Sequence, residues 1–225
     1  MLEIIAMTKE DAIEIEKGGA NRIELVSALT EGGLTPSYAM IEAVVQSVNI
    51  PVNVMLRHHS KSFIYSDDEI KLMIKDIEII KHLGANGIVF GSLNINQQIS
   101  ISQLEMILDA CDGLEVTFHK AVDETDVLES IKILSNYPQV TNVLTAGGIT
   151  HITENTKVIK QMIKQAKHLN ILLGGGLTLE NVSQVKKETG ATNFHFGTAV
   201  RTENSPFGEI DGNKLKQLNQ ILLSV

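Results

Sequence analysis

Cysteine is almost missing from this chain: Cys111 stands alone among 225 residues. A single thiol excludes an internal disulfide and fits a reducing cytosol, so the expected location is cytoplasmic. Basic residues are also scarce, 19 Lys and Arg against 27 Asp and Glu, for a formal charge of −8. With no Lys/Arg cluster to offset that balance, a nucleic-acid partner is not expected. The longest apolar runs are strand-sized, too short to span a membrane. The opening Met1-Leu2-Glu3-Ile4-Ile5 lacks the basic region and long apolar core of a signal peptide. Tryptophan is absent, yet 43% of the residues are hydrophobic, ample for a core. Linkers, low-complexity segments and composition breaks are missing too, so nothing marks a second domain.

What is present is a regular alternation. Eight β-type runs are read at Leu2–Ala6, Arg22–Val26, Val52–Leu56, Gly87–Phe90, Glu115–Phe118, Asn142–Leu144, Asn170–Leu173 and Asn193–Phe196. Helical patterns with their own punctuation lie between them. Thr8 precedes the first and Gly18-Gly19 ends it. Thr35-Pro36 offers an N-cap and a proline at the first helical position. Ser66-Asp67-Asp68-Glu69 reads as a capping box, and Gly84 ends that helix. Thr178 and Asp211 are expected to cap the last two, and Gly190 to end the first of them. Strict alternation of this kind is the pattern of a single-domain (β/α)8 TIM barrel covering residues 1–225. An open doubly wound sheet is the competitor, but no Gly-x-Gly-x-x-Gly follows the first strand.

Side chains alternate between the two faces of a strand. Where Ile23 and Leu25 face the helices, Glu24 points into the barrel; Glu3, Met55, Arg57 and His195 follow by the same phase. On the fifth strand Thr117 and His119 share the inner face, and Lys120 and Asp123 come just past its end. Thr145 ends the sixth strand with its face undecided, because Val143 and Leu144 are both apolar. Barrel interiors are normally filled with branched aliphatics, and buried charges are costly unless paired. Glu24, Arg57, His119 and His195 should therefore neutralise one another or a ligand at the carboxyl end. The plain alternative is an ion-pair network with no chemistry. Glu3, early in its strand, reads as the weakest member.

The loops at the strand carboxyl ends suggest an anion. Gly174-Gly175-Gly176-Leu177-Thr178 follows the seventh strand, and Gly197-Thr198 the eighth, where barrels often hold a phosphate on backbone N–H groups. His58-His59 could ligate a metal, but metal sites are usually built from spaced ligands. Cys111, at the amino end of a strand, reads as a small buried hydrophobe.

With these motifs in order, the chain resembles the CutC family, named for copper homeostasis. The resemblance is carried by Arg22-Ile23-Glu24-Leu25 with Glu31-Gly32-Gly33-Leu34-Thr35-Pro36-Ser37, by Tyr65-Ser66-Asp67, and by Thr117-Phe118-His119-Lys120-Ala121-Val122-Asp123. Val143-Leu144-Thr145 and Gly174-Gly175-Gly176 complete it. It implies a cytoplasmic barrel, a homo-oligomer and an association with copper; copper is the cofactor by resemblance only. Three departures stand out. Val26 lies where some members carry cysteine, Arg57-His58-His59-Ser60-Lys61 replaces Arg-Pro-Arg-Gly-Gly, and Lys120 replaces a common arginine.

Two readings of function follow. One is copper binding in copper homeostasis. The other is an enzyme using acid/base chemistry on a small anionic or phosphorylated metabolite. There His119 or Glu24 is the general acid/base, Arg57 and Lys120 steer the anion, and Asp123 orients Lys120 or His119. Thr117, Thr145, Gly174, Gly175, Gly176, Gly197 and Thr198 are the candidate ligand-binding residues, with His195 joining the catalytic set. Cu(I) prefers thiolate and thioether ligands, which this chain does not gather.

Overall fold

The computed structural model describes residues 1–224. Eight parallel strands close into a barrel in sequence order: β1 (Leu2–Ala6), β2 (Arg22–Leu25), β3 (Val52–Met55), β4 (Gly87–Phe90), β5 (Glu115–Phe118), β6 (Val140–Thr145), β7 (Asn170–Leu173) and β8 (Asn193–Phe196). The helices between and after them are α1 (Lys9–Lys17), α2 (Tyr38–Val45), α3 (Asp67–His82), α4 (Ile101–Ala110), α5 (Val127–Leu134), α6 (Thr156–Gln165), α7 (Val182–Thr189) and α8 (Gly212–Ser224). None of these helices is long and apolar enough to cross a membrane.

The caps explain most of the helix boundaries. Thr8 accepts the Asp11 N–H at the start of α1, and Ser66 and Glu69 form the reciprocal capping box of α3. Gly190 closes α7 in the left-handed conformation, and Asp211 Oδ1 accepts from Asn213 and Lys214 at α8. Two expectations need correction. The N-cap of α2 is Ser37, two residues past Thr35, whose Oγ1 instead accepts the Arg57 N–H at 2.8 Å. Thr178 Oγ1 does accept the Asn181 N–H, but in a turn that precedes α7 and joins it through the Val182 N–H to Thr178 carbonyl bond; α7 itself begins at Val182.

The strand ends differ by small amounts. β2 and β3 each stop one residue early, and β6 begins at Val140 rather than Asn142. The β5–β6 register shifts between Val116 and Thr117, which absorbs the extra length. That shift settles Thr145: it takes the outward phase with Val143, leaving Asn142 and Leu144 inside.

Outward side chains such as Ile4, Ile23, Val54, Ile88, Val116 and Phe194 pack with the helices into the main core. Each such buried side chain contributes about 1.5–3 kcal/mol by transfer from water. Inside the barrel the apolar material is thin: Ile5, Val26, Met55 and Val89 form a small cluster near the carboxyl end. The strands otherwise turn Glu3, Arg22, Glu24, Asn53, Thr117, Asn142 and His195 inward, all buried. So polar an interior replaces the stacked aliphatics of an ordinary barrel.

Candidate functional site

A cavity of about 540 Å³ opens at the carboxyl ends of the strands. Glu24, Arg57, His119, Lys120 and His195 line it, together with Gly175, Gly176, Gly197 and Thr198. Each is delivered by a strand end or by the first residues of the loop after it, which is the functional face of this architecture.

Beneath the floor lies a chain of charges. Glu3 sits opposite both Arg22 and His195 in register. Its Oε1 lies 2.7 Å from His195 Nδ1, its Oε2 takes the Arg22 Nε–H, and Arg22 Nη1 reaches Glu115 at 3.2 Å. Glu3, expected to be the weakest member, is thus the hub. It lies low, as its early position suggested, but its two cationic partners are the ones that make the network. Glu115 shares the face of Thr117 and His119 by alternation, but it is not among the candidate residues; Arg22 is missed, although it stands two residues before the inward Glu24.

These neighbours set the protonation states. Burial pushes Glu24 up, nearby Glu3 adds to this, and His195 and Arg22 oppose it, leaving a pKa of about 7. Burial alone would lower His195, but Glu24 and the hydrogen-bonded Glu3 outweigh it and hold the imidazole above its ordinary value. Glu3 is also buried, and Arg22 and His195 more than offset that cost, so it stays below the carboxylate norm. His119 goes the other way: burial first, then Arg57 and Lys120, bring it down to about 3. It is therefore a neutral imidazole at neutral pH. Its Nδ1 accepts the Ala121 N–H, so the ring proton sits on Nε2, which is buried without a partner. Gly91 makes room for this ring, since a Cβ there would stand 2.5 Å from His119 Nδ1. One Glu24 oxygen, Oε2, is likewise buried and unpartnered, 4.0 Å from His195 Nδ1.

Arg57 is held by the loop after β2. Its Nη1 donates to the carbonyls of Glu31 (2.9 Å) and Gly33 (3.3 Å), and Thr35 takes both its backbone N–H and, through its own N–H, its carbonyl. The guanidinium lies 4.8 Å from the centre of the Phe63 ring. Lys120 bonds Asp123 at 2.8 Å and leans on Gly175, where a Cβ would come within 2.6 Å of Nζ and where φ is +90°. Only glycine meets both conditions without strain. The N–H groups of Gly175 and Gly176 find no acceptor among the described residues.

Four of the candidate residues lie off the cavity wall. Asp123 faces away from His119: beside Lys120, it accepts from Thr145 Oγ1 and from the N–H groups of Ala146 and Gly148. Thr145, on the outward phase, serves that clamp. Gly174 gives its N–H to the Thr145 carbonyl and packs under His195. Thr117 is buried inside the barrel below His119 with its hydroxyl unpartnered. His58 and His59 bind Asp76 and Glu69 on α3 and so fasten their loop to the barrel wall.

Metal-ligand chemistry is confined, among the described residues, to Glu3, Glu24 and His195, whose ligand atoms lie within 4.8 Å of one another. The soft donors do not meet there. Cys111 is buried at the end of α4, at the opposite end of the barrel, where burial pushes its thiol up to about 12. Met55 is the one thioether on the cavity wall.

Comparison with known proteins matches residues 1–200 to the sequence model of the CutC family. A human protein named copper homeostasis protein cutC homolog is 40% identical over 197 residues, 87% of this chain and 72% of that protein. A family protein CutC from Pasteurella multocida (strain Pm70) is 37% identical over 195 residues, 85% of this chain and 80% of that one. The crystal structure of the putative copper homeostasis protein CutC from Streptococcus agalactiae superposes with a TM-score of 0.83 at 34% identity. It covers 88% of this chain and 98% of that one.

Proposed function

The chain belongs to the CutC family, and from that premise and the chemistry of its cavity we propose an enzyme that moves a proton on a small anionic or phosphorylated metabolite. The observation that carries this reading is the separation of two protonation states across one cavity. Glu24 is driven up to about 7 and His119 down to about 3. A base near 7 is half ready to accept a proton and half ready to return it, the optimum for acid/base work at neutral pH. A neutral histidine with its N–H directed at substrate stabilises an oxygen that gains negative charge, without giving up its own proton. In this reading Glu24 takes a proton from carbon beside a carbonyl. The C–H electron pair passes to the carbonyl oxygen, and His119 Nε2–H holds that oxygen. Return of the proton to another atom completes the turnover. Arg57, Lys120 and the N–H groups of Gly175 and Gly176 bind the anionic ends.

Copper, which the names of the relatives invoke, does not fit the donors present. A carboxylate, carboxylate and imidazole set is poor for Cu(I), which favours sulfur, and two of its three members are already paired with each other. No step here runs through copper.

Incubating the protein in D2O with a panel of small oxo acids, hydroxy acids and sugar phosphates, and reading deuterium uptake by mass spectrometry, tests the reading. At least one compound should exchange a carbon-bound proton, and Glu24→Gln should stop it. Absence of exchange across the panel, together with 13C NMR showing no carboxyl titrating near 7 that Glu24→Gln removes, would sink the proposal.

A further inference from the structure

The chain has three arginines. Arg22 is neutralised by Glu3 and Glu115, and Arg201 by Asp11 at 2.7 Å. Arg57 is also buried, 7% exposed, but has no carboxylate within ion-pair distance among the described residues. A buried cation whose neighbours are carbonyls, the Phe63 ring and the neutral Tyr65 hydroxyl is costly, and the loop after β2 nevertheless locks it in place. The lock is directional. Glu31 and Gly33 occupy Nη1 and Phe63 covers one face, while Nε is left buried with no acceptor. Paired N–H groups along one edge of a planar guanidinium match the two oxygens of a carboxylate.

A second orphan stands beside it. Phe63, whose ring lies 4.8 Å from the Arg57 guanidinium, also lies 4.8 Å from the His119 ring. The His119 Nε2–H is buried and unpartnered as well. Neither donor meets an acceptor at hydrogen-bond geometry within the protein, and Arg57 and His119 both line the same cavity as Glu24. A ligand that satisfies both carries a carboxylate and a second oxygen acceptor close by, which an acid with an oxygen on the carbon next to its carboxylate supplies.

We infer that the cavity takes a small 2-oxo or 2-hydroxy carboxylic acid, its carboxylate edge-on to Arg57 and its adjacent oxygen on His119 Nε2–H. This rests on the acid/base reading above and names the substrate class for it. Lys120, held by Asp123, and the Gly175–Gly176 backbone N–H groups line the same cavity and offer donors to a second anionic group, such as a phosphate.

Calorimetric titration with oxalate, which carries an oxygen pair beside a carboxylate, and with acetate, which does not, tests the inference. Oxalate should bind wild type at least tenfold more tightly than acetate. Arg57→Lys, which keeps the charge but loses the planar fork, should weaken oxalate tenfold or more. His119→Ala should erase the preference for oxalate over acetate. Thermal melts confirm that each variant folds; if Arg57→Lys does not, the wild-type preference and His119→Ala decide. Equal affinity for the two acids, or oxalate binding untouched by Arg57→Lys in a folded variant, overturns the inference.

The pH profile separates this inference from the reading beneath it. Glu24 faces His195 from β8, Glu3 from β1 and Arg22 from its own strand, and its ionisation near 7 should repel a bound dianion. Oxalate affinity should therefore fall between pH 6 and 8 in wild type and stay flat in Glu24→Gln. A flat wild-type profile with intact oxalate selectivity would sink Glu24 as the base and leave the carboxylate clamp standing.

Discussion

Glu24 shows how a single residue can be read from sequence and still be misjudged in its setting. Alternation placed it inside the barrel, because Ile23 and Leu25 had to face the helices. Alternation says nothing of depth, since the height of a residue against a neighbouring strand depends on the stagger of the closed sheet. Glu3 therefore looked peripheral, yet its register opposite Arg22 and His195 makes it the counter-ion of both. The consequence for Glu24 is measurable. Its proton is held more tightly in the folded chain than in the unfolded one, so its contribution to stability is full below about 4.5 and is lost as pH rises toward about 7. Glu24→Gln removes that loss. The variant should melt progressively higher than wild type as pH goes from 5 to 8, by an amount on the order of 3 kcal/mol at the upper end. Cys111, by contrast, should matter to nothing at the site. Competition for Cu(I) against a chelator should give the same weak retention for wild type and Cys111→Ser; tight binding lost in the variant would show that the thiol had been misread.

At the level of elements, the site is a set of loops fastened to one another. The loop after β6 hangs on Asp123, which accepts from Thr145 Oγ1 and two backbone N–H groups while holding Lys120. Sequence identified Asp123 and Thr145 as site residues but could not assign them to this clamp. The bonds join residues 22 to 25 positions apart, and the adjacent apolar pair Val143-Leu144 left the phase of Thr145 undecided. Asp123→Asn keeps the shape but turns an amide donor toward groups that are themselves donors. It should cost about 2–4 kcal/mol and speed amide hydrogen exchange at Ala146 and Gly148, while α5 keeps its protection. Gly175→Val should abolish any stabilisation by millimolar phosphate, because the new side chain displaces Lys120. A wild type whose melting point ignores phosphate would show that these glycines serve the turn alone.

For the whole molecule, the opposing protonation states predict a plateau. Above the ordinary histidine value of 6.5, the raised His195 and Glu24 lose stability as pH rises. Below 6.5 the lowered His119 stays neutral while its unfolded counterpart gains a proton, so stability falls as pH drops. Between 4.5 and 6.5 the Glu24 and His119 slopes cancel, and below 4.5 the loss of ionised Glu3 adds to that of His119. Urea midpoints should therefore be flat across that window and decline on both sides. In His119→Gln the plateau should tilt into a steady fall with rising pH.

The seam where the barrel closes carries a kinetic consequence. β1 meets β8 through Glu3 and His195, 192 positions apart, and Arg201 reaches back to Asp11 and the Ile5 carbonyl across 190 and 196. Contacts that distant wait for the loop between them to be closed, so they form after the nucleus of local β-α-β units. The seam should thus be the last join made and the first to part. Asp11→Ala should leave the refolding rate nearly unchanged and raise the unfolding rate severalfold in stopped-flow experiments, whereas a change in the β4–β5 pair should slow refolding. The buried ion pairs at this join act as a latch on the lifetime of the folded state.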